Sequence, residues 1–440
     1  MTNSQSLPHH AWAKTPPLGW NSFICYGSSV TEKQFKENVD AFAEKLAPLG
    51  WEYVVLDFCW SHPDPGPVAN PNQEAGYTPA LACDEYGRLL PSVERFPGAA
   101  NGVGLRELAD YTHSKGLKFG LHIMRGIPRQ AVDANLPIKG SNATAGDIAD
   151  TDSKCTWLNH MFGVDHSKDG AQAYYDSLFE LYAEWGVDYI KADDILTDYP
   201  GPYHKSEIEA IHAAIAKCGR PMVLSLSPGP APVNQAEHLR DHANLWRMSA
   251  DFWDQWKKLY EMFYLCNAWT NCGAEGYWPD ADMLPMGRIA LCGPEGDPRD
   301  SLFTFDEQKT MITLWSIFRS PLMLGGDVPT LDEATLSLLT NPEVIAVNQA
   351  GSKPRQLYRH QTLVAWISEA PEEGEYYLAL FNLADENDTV PITFSQIGLG
   401  NYLEFRDLWA QKDIGVFEKN YSIELPPHSS ALYRVRKPKH

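Results

Sequence analysis

No stretch of the 440 residues approaches the roughly 18–20 consecutive apolar residues that a membrane-crossing helix needs. The opening residues MTNSQSLPHHAWAKTPP lack both the basic start and the apolar core of a secretory leader. The chain as it stands therefore reads as cytoplasmic; a leader already removed would make it secreted or periplasmic. Cys-x-x-Cys is missing too. Eight cysteines, at 25, 59, 83, 155, 218, 266, 272 and 292, are scattered, so zinc and dithiol motifs are not indicated and buried thiols are the default. None of the 14 histidines forms a His-x-His pair, which argues against a metal-dependent barrel hydrolase. No Gly-x-Gly-x-x-Gly follows a first strand, which removes the signature of a dinucleotide site. Positive charge is scarce: 36 Lys and Arg stand against 57 Asp and Glu, a net charge of −21. Such a surface repels phosphate backbones and anionic membranes but suits a neutral partner such as a sugar. A carbohydrate substrate is expected, with no nucleic acid and no membrane; self-association into a homo-oligomer is left open.

What is present is ample core material, 44% hydrophobic and 12% aromatic. Short apolar runs rich in β-formers recur as EYVVLDFCW (52–60), LKFGLHIM (117–124), VDYIKADD (187–194), PMVLSLS (221–227) and NLWRMS (244–249). Helical stripes separate them. Phe35, Val39, Phe42 and Leu46 share a face of 31–48, with Thr31 and Gln34 as a capping box. Tyr174, Leu178, Tyr182 and Trp185 stripe 170–185, which Gly186 ends, and Ile208, Ile211 and Ile215 stripe 205–217. Further capping boxes are read at Thr304/Glu307 and Thr330/Glu333. PPLGWNSF (16–23), SPLMLGG (320–326) and a weaker run near 278–284 bring the strands to about eight. Near-continuous apolar strands alternating with helices predict a parallel sheet covered on both faces, a TIM (β/α)8 barrel over 1–350. From about 351 to 440 the period changes to alternation, in TLVAWISE, EYYLALFNL, DTVPITFS, YLEFRDLW, YSIELPP and SALYRVR, which predicts a C-terminal antiparallel β-sandwich domain.

Barrel enzymes work at the C-terminal ends of their strands. There the sequence places Asp57, His122, Arg125, Lys191, Asp193, Asp194, Ser225, Ser227, Arg247, Asp251, Asp280 and Asp282. Carboxylates dominate. Two of them across a pocket can cleave a glycosidic bond, one attacking the anomeric carbon or activating water, the other protonating the leaving oxygen. Lys191 lies two residues before Asp193 and shares its strand face, where it would keep the acid ionised; Asp194 faces the other way, toward packing or a loop hydrogen bond. Taken alone, the spacing fits solvated strand-end acids equally well, and Arg247 with Asp251 fits a surface ion pair.

Nine segments settle between these readings by resemblance. TPPLGWNSF, EYVVLDFCW, GRLLPSVERFP, LADYTHSKGLKFGLH, WGVDYIKADD, LWRMSADFWDQW, DADMLPMG, LWSIFRSPLMLGGD and LLTNPEVIAVNQ resemble, in order and spacing, glycoside hydrolase family 27, the retaining α-galactosidases and α-N-acetylgalactosaminidases. The resemblance spans residues 15 to 350, and the β domain after it also fits. It implies Asp193 as nucleophile, Asp251 as acid/base, and Asp57, Lys191, Arg247 and Asp282 as sugar-binding residues, with neither metal nor organic cofactor. It also marks departures. Phe58 stands where the family has a second acid, which removes a grip on O4 or O6 of a galactose. His122 stands where many members have Tyr, and Phe23 replaces a Trp. Ser227 falls where α-galactosidases commonly have Glu and α-N-acetylgalactosaminidases have Ser, so a small side chain there could admit a 2-acetamido group. Cys25 and Cys59 match half-cystines that secreted members often pair, and whether they are bonded here is left open.

The expected activity is a retaining exo-glycosidase that removes terminal α-linked galactose or a galactose-like sugar by double displacement. The alternatives within that chemistry are an α-N-acetylgalactosaminidase and a β-L-arabinopyranosidase, the latter because Phe58 fills space near C6. A catalytically silent carbohydrate-binding barrel is the rival from another class; the pair Asp193 and Asp251, retained together, argues against it.

Overall fold

A computed structural model of the chain describes residues 6–65, 80–196, 201–293 and 295–438. Eight parallel strands form its first part: β1 (Leu18–Asn21), β2 (Tyr53–Leu56), β3 (Lys118–Met124), β4 (Tyr189–Asp193), β5 (Val223–Leu226), β6 (Leu245–Arg247), β7 (Trp278–Asp280) and β8 (Leu322–Leu324). The strand order is β7-β6-β5-β4-β3-β2-β1-β8, every pair parallel. Leu284, just beyond β7, closes the ring by a parallel bridge to Leu324 of β8, its N–H donating to the Met323 carbonyl at 2.7 Å. These short strands carry almost no exposed residue, because helices cover the outer face and side chains fill the interior.

The covering helices follow from the stripes read in the sequence. They are α1 (Glu32–Lys45), α2 (Arg106–Ser114), α3 (Ala171–Trp185), α4 (Lys205–Lys217), α5 (Ala236–His242), α6 (Trp256–Ala268) and α7 (Phe305–Phe318), with α8 (Glu333–Leu339) and α9 (Pro342–Ala350) after β8. Thr31 and Thr304 each cap their helix in a reciprocal box with Gln34 and Glu307. Gly186, at φ 86°, adopts the left-handed conformation that ends α3. The expected Thr330/Glu333 box does not form. Thr330 Oγ1 donates to Asp327 Oδ2 at 2.8 Å in the preceding turn, and Asp332, next to the helix, caps it by accepting from the Thr335 N–H at 2.7 Å. The aspartate is closer to the free N–H groups and carries the charge they favour.

The antiparallel part begins at Ser352. Six strands, β9 (Ser352–His360), β10 (Leu363–Glu369), β11 (Glu375–Asn382), β13 (Tyr402–Asp407), β14 (Lys412–Glu418) and β16 (Ser430–Arg436), make one sheet in the order β9-β10-β11-β16-β13-β14; β12 (Asp388–Thr393) and β15 (Asn420–Leu425) pair as a second. Alternate side chains of the large sheet enter two different cores. Ile367, Leu378, Leu380, Tyr433 and Val435 pack with Val390 and Ile392 of the small sheet. Trp366, Ala379, Phe381 and Leu432 point to the barrel's core, where Trp366 meets Phe318 of α7 at 6.1 Å and Phe381 meets Phe263 of α6 at 4.9 Å between ring centres. Among the described residues no helix is long and apolar enough to cross a membrane.

Candidate active site

Strand β4 carries Lys191 and Asp193 on one face, and the geometry places the Lys191 Nζ 3.7 Å from Asp193 Oδ2 and 3.0 Å from Asp57 Oδ2. Asp57 follows β2, two strands away around the barrel, and is held from several directions. Asn21 Nδ2, at the end of β1, donates to its Oδ2 at 2.7 Å, the Phe58 N–H donates to its Oδ1 at 2.9 Å, and its own N–H donates to Ser22 Oγ at 3.0 Å. Asp193 is held from its two neighbouring strands. His122 Nε2, from β3, lies 2.7 Å from Oδ2, and Ser227, just past β5, donates a short hydrogen bond to Oδ1. Both carboxylates are buried.

Burial alone would push these acids toward their neutral forms. Lys191 and His122 outweigh it and hold both Asp57 and Asp193 below the usual carboxylate range, with the hydrogen bonds from His122 and Ser227 adding to the effect on Asp193. Burial likewise opposes the Lys191 charge, and Asp193, Asp57 and Asp251 together overcome it, so the ammonium is held above its ordinary value. Asp193 is thus an ionised, preorganised carboxylate at the barrel mouth, suited to nucleophilic attack.

Asp251 sits differently. It follows β6 on the loop four residues after Arg247, and its side chain is 45% exposed where that of Asp193 is 11%. Arg247 is buried. Its Nη2 lies 2.6 Å from Asp282 Oδ2 and 3.3 Å from Asp251 Oδ1, while its Nε has no hydrogen-bond partner among the described residues. This is no surface ion pair: the guanidinium is fixed by Asp282 and reaches Asp251 from below. Burial opposes the Arg247 charge, and Asp282, Asp251, Asp280 and Asp193 together overcome it. Asp282 at φ 82° is anchored by accepting from the Phe252 and Met283 N–H groups, each at 2.7 Å.

The wall between these groups is aromatic. Phe23, Phe58 and His122 form a row, with ring centres 5.3 Å apart for the first pair and 5.9 Å for the second, and Trp253 closes on Phe23 at 6.2 Å. Lys191 Nζ lies 5.3 Å above the Phe23 ring. Phe58 is only 3% exposed.

Asp194 is excluded from this pocket. At φ 59° it turns away, and its Oδ2 pairs with Arg125 Nε at 2.9 Å. Arg125 is also 3.2 Å from Glu207, so one guanidinium serves two carboxylates; burial, opposed by Arg125 and reinforced by Glu207, lifts Asp194 to about 7. Arg125 is therefore spent behind the site and does not reach toward a sugar. Ser227, read as a residue facing the 2-substituent, is engaged with Asp193. Cys25 and Cys59 are free thiols, the Cys25 Sγ donating to the Arg288 carbonyl at 3.3 Å. Two members of the site were missed in the sequence. Asn21 ends β1 and could have been found by the same strand-end rule that picked out Asp57. Trp253 had no signal, since a tryptophan beside a strand end is ordinarily core.

Comparison with known proteins agrees with this fold. Residues 162–350 match the family model described as alpha galactosidase A, and residues 360–435 match that of the alpha galactosidase C-terminal beta sandwich domain. The chain is 50% identical to a family 27 β-L-arabinopyranosidase from Geobacillus stearothermophilus, whose crystal structure superposes with a TM-score of 0.95 and 99% of each chain covered. An alpha-galactosidase from Coffea arabica is 28% identical over 98% of this chain and 96% of its own length. Alpha-galactosidase A from Homo sapiens is 27% identical over 88% of this chain and 79% of its own.

Proposed function

Because the chain belongs to glycoside hydrolase family 27, we propose that it removes terminal sugars of galactose configuration with retention, and that its preferred sugar is β-L-arabinopyranose, which is α-D-galactopyranose without its C6 hydroxymethyl group. Asp193 attacks C1 while Asp251 gives its proton to the leaving oxygen, forming a covalent glycosyl-enzyme. Asp251, now a carboxylate, takes a proton from water, which attacks C1 and releases Asp193; two inversions give net retention. Lys191 and Asp57 bind ring hydroxyls. The contrast in exposure between the two acids suits the roles: the nucleophile is buried beside the Lys191 ammonium, and the acid/base is at the rim, where leaving group and water pass.

The observation that carries the choice of sugar is Phe58. Where a second carboxylate beside Asp57 would grip an exocyclic hydroxyl, this chain has an apolar ring packed between Phe23 and His122. A pentopyranose loses nothing against such a wall, whereas a hexose must desolvate a hydroxyl without a partner. The likeness to the arabinopyranosidase supports the same reading. An α-N-acetylgalactosaminide is disfavoured because Ser227 is held by Asp193. The test is kcat/KM on the para-nitrophenyl β-L-arabinopyranoside, α-D-galactoside and α-N-acetylgalactosaminide. The arabinopyranoside is expected to lead; a galactoside that equals or exceeds it rejects the proposal.

A further inference from the structure

Outside the pocket, a cluster of imidazoles lies between helices α4 and α5. His238 and His242 stand one turn apart on α5, and Glu209 projects from α4. One possible ligand atom from each of the three lies within 4.8 Å of the other two. His238 Nε2 and Glu209 Oε1 are 3.4 Å apart, close to the roughly 3.3 Å edge of a tetrahedron with bonds of about 2.0–2.1 Å.

Two features separate this cluster from an ordinary surface group. First, the His238 side chain is only 8% exposed, yet its Nε2, 3.4 Å from the Glu209 carboxylate, makes no hydrogen bond among the described residues. Second, the other ring nitrogens are already occupied. His242 Nδ1 lies 2.9 Å from the His238 carbonyl, which can only accept, so the proton is on Nδ1 and the Nε2 lone pair is free. His238 Nδ1 is 2.6 Å from the Tyr203 hydroxyl, which can accept its proton and leave Nε2 unprotonated. Outer partners of this kind orient histidines that bind metals. Lys205 approaches Glu209 only to 4.0 Å, in an exposed pair too weak to hold the carboxylate against a divalent ion. His9 and His10 are close by, but both are tied to the Arg240 carbonyl, and His212 is tied to that of His242.

We propose that His238, His242 and Glu209 form a binding site for a divalent transition metal of the zinc type, with a fourth position for water. Two imidazoles and one carboxylate suit Zn²⁺, Co²⁺ or Ni²⁺ and not Ca²⁺ or Mg²⁺. The ion fastens α4 to α5. Through Tyr203 it also braces the residues just before α4. Its role is structural, since no group of the cluster belongs to the sugar pocket.

The test titrates Zn²⁺ into full-length protein freed of metal by EDTA and dialysis, by calorimetry, with Co²⁺ absorption as a second readout. The wild type is expected to bind one equivalent with a tetrahedral Co²⁺ spectrum and to unfold at a higher temperature with Zn²⁺ present. His242→Ala and Glu209→Gln are each expected to weaken Zn²⁺ by at least about tenfold, and Tyr203→Phe by about 10–100-fold. Glu209 is half-exposed, so Glu209→Gln should keep the metal-free unfolding temperature and the turnover of the wild type, which shows that its fold is intact. A wild type that binds no stoichiometric Zn²⁺, or a Glu209→Gln variant that binds it as tightly, overturns the site.

Discussion

Replacing Phe58 with Asp should change which sugar the enzyme prefers while making the protein less stable. The buried ring packs against Phe23 and His122, so its loss carries a cost of about 3–5 kcal/mol, as for truncation of a core Phe. The new carboxylate also lands beside Asp57, whose Oδ2 is already taken by Asn21 and Lys191 and whose Oδ1 accepts the backbone N–H of residue 58. Against this, a hydrogen bond from a sugar hydroxyl to a charged acceptor contributes about 1.5–3 kcal/mol. That is about ten- to a hundredfold in kcat/KM at tenfold per 1.4 kcal/mol. Galactoside gains it and arabinopyranoside, with no exocyclic hydroxyl, does not. The informative quantity is therefore the ratio of kcat/KM for the two nitrophenyl glycosides, which is insensitive to how much of the protein is folded. It should move toward galactoside by about ten- to a hundredfold in Phe58→Asp. Phe58→Ala, run alongside, opens space without supplying an acceptor and should move the ratio much less. An unchanged ratio in a folded Phe58→Asp protein, or equal shifts in both variants, would refute the lost-grip account.

Removing either acid, as Asp193→Ala or Asp251→Ala, should lower turnover by about 10²–10⁴ or more with the fold kept, measured by kcat and circular dichroism. Azide should restore part of the activity of Asp193→Gly and give a glycosyl azide of inverted configuration, whereas Asp194→Gly, whose carboxylate serves Arg125, should show no rescue. Ser227→Ala removes one of the bonds that hold the Asp193 anion, so the carboxyl protonates more easily and the acid limb of kcat/KM should move to higher pH; an unmoved limb contradicts the assigned contact. Acid should weaken the fold through buried histidines. Burial, with Arg95, holds His62 at about 3, and burial, with His212, holds His9 at about 4, both below the value for a free imidazole. The unfolded chain therefore takes up these protons first, so stability present at pH 7 is lost as pH falls from about 6.5 toward 4, by about 2 kcal/mol per histidine at pH 5. Urea midpoints at pH 5 and 7 read this directly, and His62→Phe should flatten the difference.

Much of the barrel could be read because its strands are buried on both faces and so appear as unbroken apolar runs. Two strands of the β domain escaped for the opposite reason. β9 and β14 lie at the two edges of their sheet, and SKPRQLYRH and KDIGVFE are too polar to show alternation. Within the site, period two was enough to put Lys191 and Asp193 side by side and to turn Asp194 away. It could not show that His122 and Ser227 both reach Asp193, because that follows from β3 and β5 flanking β4, a fact of strand order across some hundred residues of chain. Asp251 lies on a loop with no period at all, and only the resemblance of RMSAD to the family motif singled it out. The zinc-type cluster was invisible for a related reason: His238 and His242 are on one helix, but Glu209 and Tyr203 join them only once α4 packs beside α5.

The large C-terminal sheet, with alternate side chains entering two separate cores, has a consequence for how the molecule comes apart. A domain that merely touched its neighbour could unfold while the other persisted. Here Trp366 and Phe381 belong to the barrel's interior as fully as Phe318 and Phe263 do. Loss of the β domain would strip α6 and α7 of part of their own core, and loss of the barrel would leave one face of the sheet uncovered. The two architectures thus form a single thermodynamic unit, and the scaffold that holds Asp251, on the loop that leads into α6, draws part of its rigidity from residues more than a hundred positions away in the chain.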